Sequence, residues 1–443
     1  MQPTLNSFVI RQYQQISAQG WPSLKRKIKK LVLLPIQLPS IFIAFILVVL
    51  IRLLRPFVIF RIGMMDLGRI GGIYQGDWYL AEKADGKHQG RYLDFFYFSK
   101  STNHVNRQWK KMWRNTVPYV PGCAFWVNMQ RLNRLIPGYN DHEIPNNHIY
   151  PDLVTWNKHL RNPNDGKIKV FNDRLKSILK NVKSNISFNT EEEKQGHSVL
   201  ENIGIPKNKR YICFHARDSS YLDTVLKTMD WSYHNYRDSN IQNYILTAEE
   251  MTNRGYYAIR MGAVVKERIY NSNPQIIDYA TNSHRTDFSD IYIGSHCRFF
   301  LCSDGGISAI PEMLRIPVVY VNWTVILRIS TWVLNGLFIF KKFYLKNQTR
   351  YMSFSEIINI EIGGWNTNEI LDRLNLELIE NTPEEILAVT IEMDERLNGT
   401  WESTNEDEIL QKQFWTLFGP NKLRSPDLRI GAEFLRQNRE LLN

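Results

Sequence analysis

Apolar positions along the chain follow two patterns of very different length. The longer is an uncharged run, Leu31 to Ile51, with Lys25, Arg26, Lys27, Lys29 and Lys30 before it and Arg52, Arg55 and Arg61 after it. At about 1.5 Å of rise per helical residue, such a run matches a hydrocarbon core about 30 Å thick. It therefore reads as a membrane anchor over 31–56 behind a basic segment, 1–30. No small-residue cleavage site follows, and apolar residues resume at Leu53, which disfavours a removable leader. Basic residues on both flanks, and Pro35, Gln37 and Pro39 in the first turns, favour an in-plane or re-entrant segment over a spanning helix. A buried core helix is the remaining alternative.

The second pattern is a series of short apolar runs separated by helical periodicity. Strands are expected at Phe57–Ile62, Tyr92–Phe98, Tyr211–Phe214, Tyr256–Arg260, Phe299–Cys302 and Val318–Val321, and helices at Gln242–Arg254, Phe288–His296 and Ile307–Arg315. Strands alternating with helices argue for βαβ units and a parallel sheet. The first strand runs into a glycine-studded turn, Gly63 to Gly72, as at the start of a Rossmann-like domain. Thr190 and Glu193 read as a capping-box pair, and Gly204 with Pro206 marks a boundary. The expected fold is α/β, with Rossmann-like domains at 57–204 and 205–360 and a helical tail, 361–443, packing across them. In that tail Thr382, Pro383, Glu385 and Gly399 bound a clear helix. Val318 to Phe340 reads as a buried strand followed by a membrane-facing loop, and the proline-rich stretch Val117 to Pro163 as a binding face.

Composition narrows the function classes. A chain of 443 residues with 43% hydrophobic and 22% charged positions is neither disordered nor fibrous. Four cysteines without a CxxC pair give no disulfide framework and point to a reducing compartment. Sequons at Asn185, Asn322, Asn347 and Asn398 are the chance matches expected of an Asn-rich chain. The net charge of +11 is uneven, because residues 1–61 carry nine Lys and Arg and no acidic residue. The surplus belongs to a membrane surface and not to nucleic acid, for which no module is present. Absent DxD, Walker A, HExxH and GxSxG sequences weaken metal-dependent sugar transfer, NTP hydrolysis, zinc proteolysis and esterase chemistry.

The candidate chemistry sits where strands end. His215, Arg217 and Asp218 follow the Tyr211–Phe214 run, and ligands of open α/β sheets collect at the carboxyl ends of strands. The planar fork of Arg217 suits a diphosphate and stabilises its departure from a sugar without a metal; the alternative is a plain Arg217–Asp218 surface pair. Ser303, Asp304, Gly305, Gly306 and Ser308 form a second turn, read as a phosphate cradle at a helix N-terminus, with Glu312 placed for ribose hydroxyls. Arg260 and Lys266 follow another strand end as further phosphate candidates. His234, Asn235, Arg237 and Asp238 form a polar loop suited to an acceptor or to phosphate. Asp287 and Asp290 fit a helix start.

The runs Tyr211–Tyr221 and His234–Asp238, the segment Asp287–Ser303 and the stretch Glu380–Ile386 together resemble a bacterial family of glycosyltransferases that accompany surface-polysaccharide genes. His215-Ala216-Arg217 is more distantly similar to the His-x-Arg element of fucosyltransferases with the GT-B fold. The resemblance implies a GT-B-like pair of domains, a nucleotide-sugar donor on the C-terminal one with Arg217 on its diphosphate, and a glycan or lipid-linked acceptor on the other. With the absent DxD motif the expectation is no metal and no cofactor, and with the cationic residues 1–61 it is anionic membrane lipids as partners at the cytoplasmic face of the bacterial inner membrane. The family commonly has Arg-Ile-Gly-His in its first loop, where this chain has Arg69, Ile70, Gly71 and Gly72. If that histidine is the family's general base, Asp66 or Asp77 would have to substitute for it here, and the base is left open. Two other readings are a non-catalytic scaffold of the same architecture and a sugar-nucleotide epimerase.

Overall fold

The computed structural model describes residues 38–67, 74–86, 88–100, 106–144, 182–226, 230–326, 333–360, 367–418 and 427–442, with a few isolated positions besides. Two compact units emerge, and they are not sequential halves meeting at 204. One gathers 1–64, 90–98 and 118–146; the other takes 65–89, 99–117 and 147–443.

In the first unit, residues 38–53 are helical and lead into β1 (Ile59–Met65), which pairs with β2 (Tyr92–Phe98). Ala44, Val48 and Ile51 pack with Ile62, Tyr97 and Met129, the last from the helix Cys123–Asn133. Arg61 and Asp94 form a buried two-bond pair at 2.7 and 3.1 Å, with the guanidinium stacked over Tyr92. Among the described residues this unit has two strands, β1 and β2. The expected anchor is described only in part. Among the described residues no helix is long and apolar enough to cross a membrane, and positions 31–37 of the apolar run lie outside them.

The second unit is built on one parallel sheet. Its strands are β3 (Tyr211–His215), β4 (Tyr257–Arg260), β5 (Ile276–Ile277), β6 (Phe300–Cys302), β7 (Val318–Trp323), β8 (Gly336–Phe340) and β12 (Leu428–Ile430). They lie in the order β12-β8-β7-β6-β3-β4-β5. Their fully buried Val, Ile and Phe side chains are those of strands covered on both faces. The chain winds outward from β3 through β4 to β5, then returns to the other side of β3 with β6 and winds the opposite way. The sheet therefore has a topological switch point between β3 and β6, where an open α/β sheet leaves a crevice at its carboxyl edge.

The tail is not only helical, and it packs within this unit. It supplies β12 to the sheet edge and β11 (Leu376–Ile379), which pairs antiparallel with β9 (Lys342–Leu345) beside the short β10 (Arg350–Tyr351). Its helix Pro383–Asn398 has the expected ends: Thr382 and Glu385 complete a capping box, and Gly399 terminates it at φ 73°. The helix Thr190–Asn202 starts one residue earlier than its sequence signal, because Asn189 caps it with Glu192. That frees Glu193 to accept from Tyr292 Oη. The segment expected to face a membrane after β7 is buried at Val325, Ile326, Ile329 and Val333 and leads into β8. Asn322 is fully buried, so its sequon is not a surface acceptor.

Candidate functional site

Five strand ends of the parallel sheet place polar side chains along one edge: His215 at the end of β3 and Arg217 after it, Arg260 at the end of β4, Ser303 and Asp304 after β6, Thr324 after β7 and Lys341 after β8. The two loops flanking the switch point are tied together. Ser303 Oγ accepts the Arg217 backbone N–H at 2.7 Å, and the Ser303 N–H donates to the His215 carbonyl at 3.2 Å.

Arg217 is buried, with 7% of its surface exposed, and its Nη1 donates to the Asp238 carboxylate. Its Nη2 is buried and, among the described residues, meets no acceptor. Burial, then the neighbouring Arg237, lowers its pKa to about 10. Arg237 Nη2 donates to Asp304 Oδ1 at 2.6 Å, and Thr324 Oγ1 donates to the other oxygen of that carboxylate at 2.8 Å. Lys341, also buried, donates to the carbonyls of Asp238 at 2.5 Å and Tyr236 at 3.4 Å. Three cations from three segments thus converge, with one guanidinium edge left to receive an anion.

His215 sits beside them. Its Nδ1 lies 2.9 Å from the Met261 carbonyl, which can only accept, so Nδ1 carries the proton and Nε2 is left as an acceptor. Burial lowers its pKa. A Cβ built on Gly305 would lie 3.8 Å from both His215 Nε2 and Arg217 Cβ, so the loop after β6 closes over this pair.

Several expected residues turn out to be structural. Arg260 donates to the Glu267 carbonyl at 2.7 Å and pairs with Asp278 at 3.4 Å, which turns it away from a phosphate role. Asp218 accepts the backbone N–H groups of Ser220 and Lys266 and staples two loops; the Lys266 side chain is exposed. Glu312 is buried and accepts from Tyr320 Oη at 2.7 Å, which withdraws it from any ribose. The segment after Gly305 and Gly306 is a three-residue 3-10 turn and the five-residue helix Ala309–Met313, too short to supply a helix-dipole cradle; Ser308 Oγ donates back to the Gly305 carbonyl.

The polar loop divides. Arg237 and Asp238 join the crevice, whereas the His234 ring stacks on Trp231 and Tyr233 and Asn235 is exposed. Of the candidate bases, Asp66 is exposed and accepts from Ser99 Oγ, and Asp77 is buried against Arg315 at 2.8 Å, with burial raising its pKa. Arg69, Gly71 and Gly72 lie outside the described residues. Asp287 caps a different helix from its own, accepting the Arg107 N–H at 2.8 Å, while Thr286 caps its own helix.

No protein-family model matches the chain, and no curated protein matches it. Among solved structures, the E. coli ADP-heptose lipopolysaccharide heptosyltransferase II is similar at 9% identity over 71% of this chain and 98% of that one, with a TM-score of 0.35. A glycosyl transferase of family 9 from Veillonella parvula is similar at 10% identity over 60% of this chain and 80% of that one, with a TM-score of 0.31. Such loose superpositions leave the site to be read from this chain's own side chains.

Lys341 and Thr324 are site residues that sequence reasoning did not single out. A lysine directly after an apolar run is a weak signal, but the run Gly336–Phe340 is itself a fully buried strand pattern. Recognising it as β8 would have put Lys341 at a carboxyl edge.

Proposed function

We propose that this protein is a glycosyltransferase whose switch-point crevice holds the diphosphate of a nucleotide-sugar donor. The carrying observation is Arg217: it is buried at the carboxyl edge of the sheet, tied across the switch point to Ser303, with Nη2 unpartnered among the described residues. A diphosphate oxygen is the acceptor that guanidinium edge lacks. As the sugar's bond to the departing oxygen breaks, negative charge grows on the diphosphate. Arg217, with Arg237 beside it, stabilises that charge most in the transition state, while Lys341 holds the turn that carries Arg237 and Asp238. The protein's own cations do this work, so the reaction is proposed as metal-independent. His215 Nε2, unprotonated, accepts a hydrogen bond from a donor hydroxyl.

The acceptor is proposed as a surface glycan or a lipid-linked sugar, and the place as the cytoplasmic face of a bacterial inner membrane. The cationic, acid-free stretch 1–61 supports that placement.

The test is calorimetry and transfer assays with a panel of nucleoside diphosphates and nucleotide sugars. Arg217→Ala is expected to lower transfer by about 10²–10³-fold while the fold is kept. Near-normal transfer by that variant refutes the reading. Binding of no nucleotide would favour a scaffold, and a donor isomerised without acceptor would favour an epimerase.

A further inference from the structure

Residues 38–53 divide cleanly by face. At 100° per residue, Ala44, Val48 and Ile51, with Leu47 and Ile41 at their margins, form the arc packed on the unit's own core. The opposite arc, about half the circumference, carries Leu38, Phe42, Ile43, Phe45, Ile46, Val49, Leu50 and Leu53, all exposed, and Leu54 and Phe57 continue it in the following turn. Phe42 is 64% exposed, Leu53 68% and Phe57 71%. So large a contiguous apolar face marks an interaction surface.

The helix is also fastened so that this face cannot turn inward. Arg52 donates to Asn133 Oδ1 at 2.8 Å and to the carbonyl of Pro137 at 2.5 Å, and Arg55 pairs with Asp141 at 2.5 Å. Among the described residues no helix is long and apolar enough to cross a membrane. One side of the helix at 38–53 is already committed to protein.

We infer that this helix lies in the plane of one leaflet of an anionic membrane, with Phe42, Ile46, Leu53 and Phe57 among the acyl chains and the chain re-emerging on the side it entered. The charge argues for lipid over a second protein copy. Of the nine cations in residues 1–61, Arg55 and Arg61 are matched by Asp141 and Asp94; seven remain, with no acid in that stretch to offset them. A second copy would double this surplus of like charge, whereas anionic headgroups neutralise it. This deepens the membrane placement proposed above and is independent of the donor crevice.

The experiment adds full-length purified protein to preformed vesicles, either phosphatidylglycerol–phosphatidylethanolamine or phosphatidylcholine alone, and measures flotation. Wild type is expected to float with the anionic vesicles and to be released by high salt plus detergent, not by salt alone. The triple variant Phe42→Glu, Ile46→Glu, Leu53→Glu is expected to bind at least about tenfold more weakly, with nucleoside diphosphate binding unchanged as the check on folding. Unchanged flotation of that variant overturns the inference, as does wild type that self-associates without lipid and floats on neither vesicle. Topology is read in a Cys123→Ser background with single cysteines at Ser23 or Lys100 and a membrane-impermeant thiol reagent. Labelling of both from outside supports an in-plane helix; protection of either means a crossing and refutes it.

Discussion

The backbone N–H of Arg217 donates to Ser303 Oγ across 2.7 Å, a bond that joins the ends of two strands belonging to opposite windings of the sheet. The arginine's position therefore depends on a serine 86 residues away. Ser303→Ala removes the acceptor and leaves a buried N–H unmatched, which costs about 1–3 kcal/mol. The expected outcome is a lower unfolding midpoint in denaturant and a donor affinity reduced several-fold, less than for Arg217→Ala. Calorimetry of the two variants side by side checks the order.

Asp238 occupies Nη1 of the same guanidinium that a diphosphate would engage. A carboxylate held there competes with an incoming phosphate, so Asp238→Asn is expected to tighten nucleoside diphosphate binding. It should also lower stability modestly, by about 1 kcal/mol, since Asp238 is partly exposed and the pair is screened. Weaker nucleotide binding by Asp238→Asn would instead mean that the carboxylate orients the arginine for its ligand.

How much of this was legible in the sequence follows from what each residue's neighbours are. β3, β6 and β7 announced themselves because strands buried on both faces must be continuous apolar runs, and Arg217 and Ser303 followed from where those runs stop. β5 and β12, with two and three residues, carry too little pattern to be seen. Arg260 and Glu312 looked equally functional in one dimension. Their roles were decided by Asp278 and Tyr320, partners that only the folded chain supplies. The make-up of the first unit is not written in the order of the chain: β1 and β2 pair with each other, while the segments 65–89 and 99–117 between and after them join the larger unit.

His215 gives the pH dependence a direction. Burial lowers its pKa in the folded protein, so in acid the unfolded chain binds the extra proton more readily. Stability is complete above the unfolded value of about 6.5 and declines as pH falls below it. His215→Asn keeps an N–H near the Met261 carbonyl without a titrating ring, and its thermal midpoint is expected to fall less steeply between about pH 6.5 and 5 than that of wild type. Parallel curves for the two proteins would assign the acid sensitivity to other groups.

Lys341 acts on the crevice through the backbone it holds. Its ammonium is buried, burial lowers its pKa, and its bonds to the Asp238 and Tyr236 carbonyls fix the end of the turn Ser232–Arg237. That turn delivers both Arg237, which is clamped to Asp304, and Asp238, which is clamped to Arg217. Lys341→Met keeps the bulk of the stem and deletes the charge, so the turn loosens while the sheet stays packed. Donor KM is expected to rise about tenfold or more, with a smaller change in kcat, because the loss falls on the placing of the arginines before the chemical step. Lys341→Arg retains donors for both carbonyls and should recover part of the loss. A lysine that contacted the leaving diphosphate directly would lower kcat first, so the split between the two constants separates positioning from catalysis.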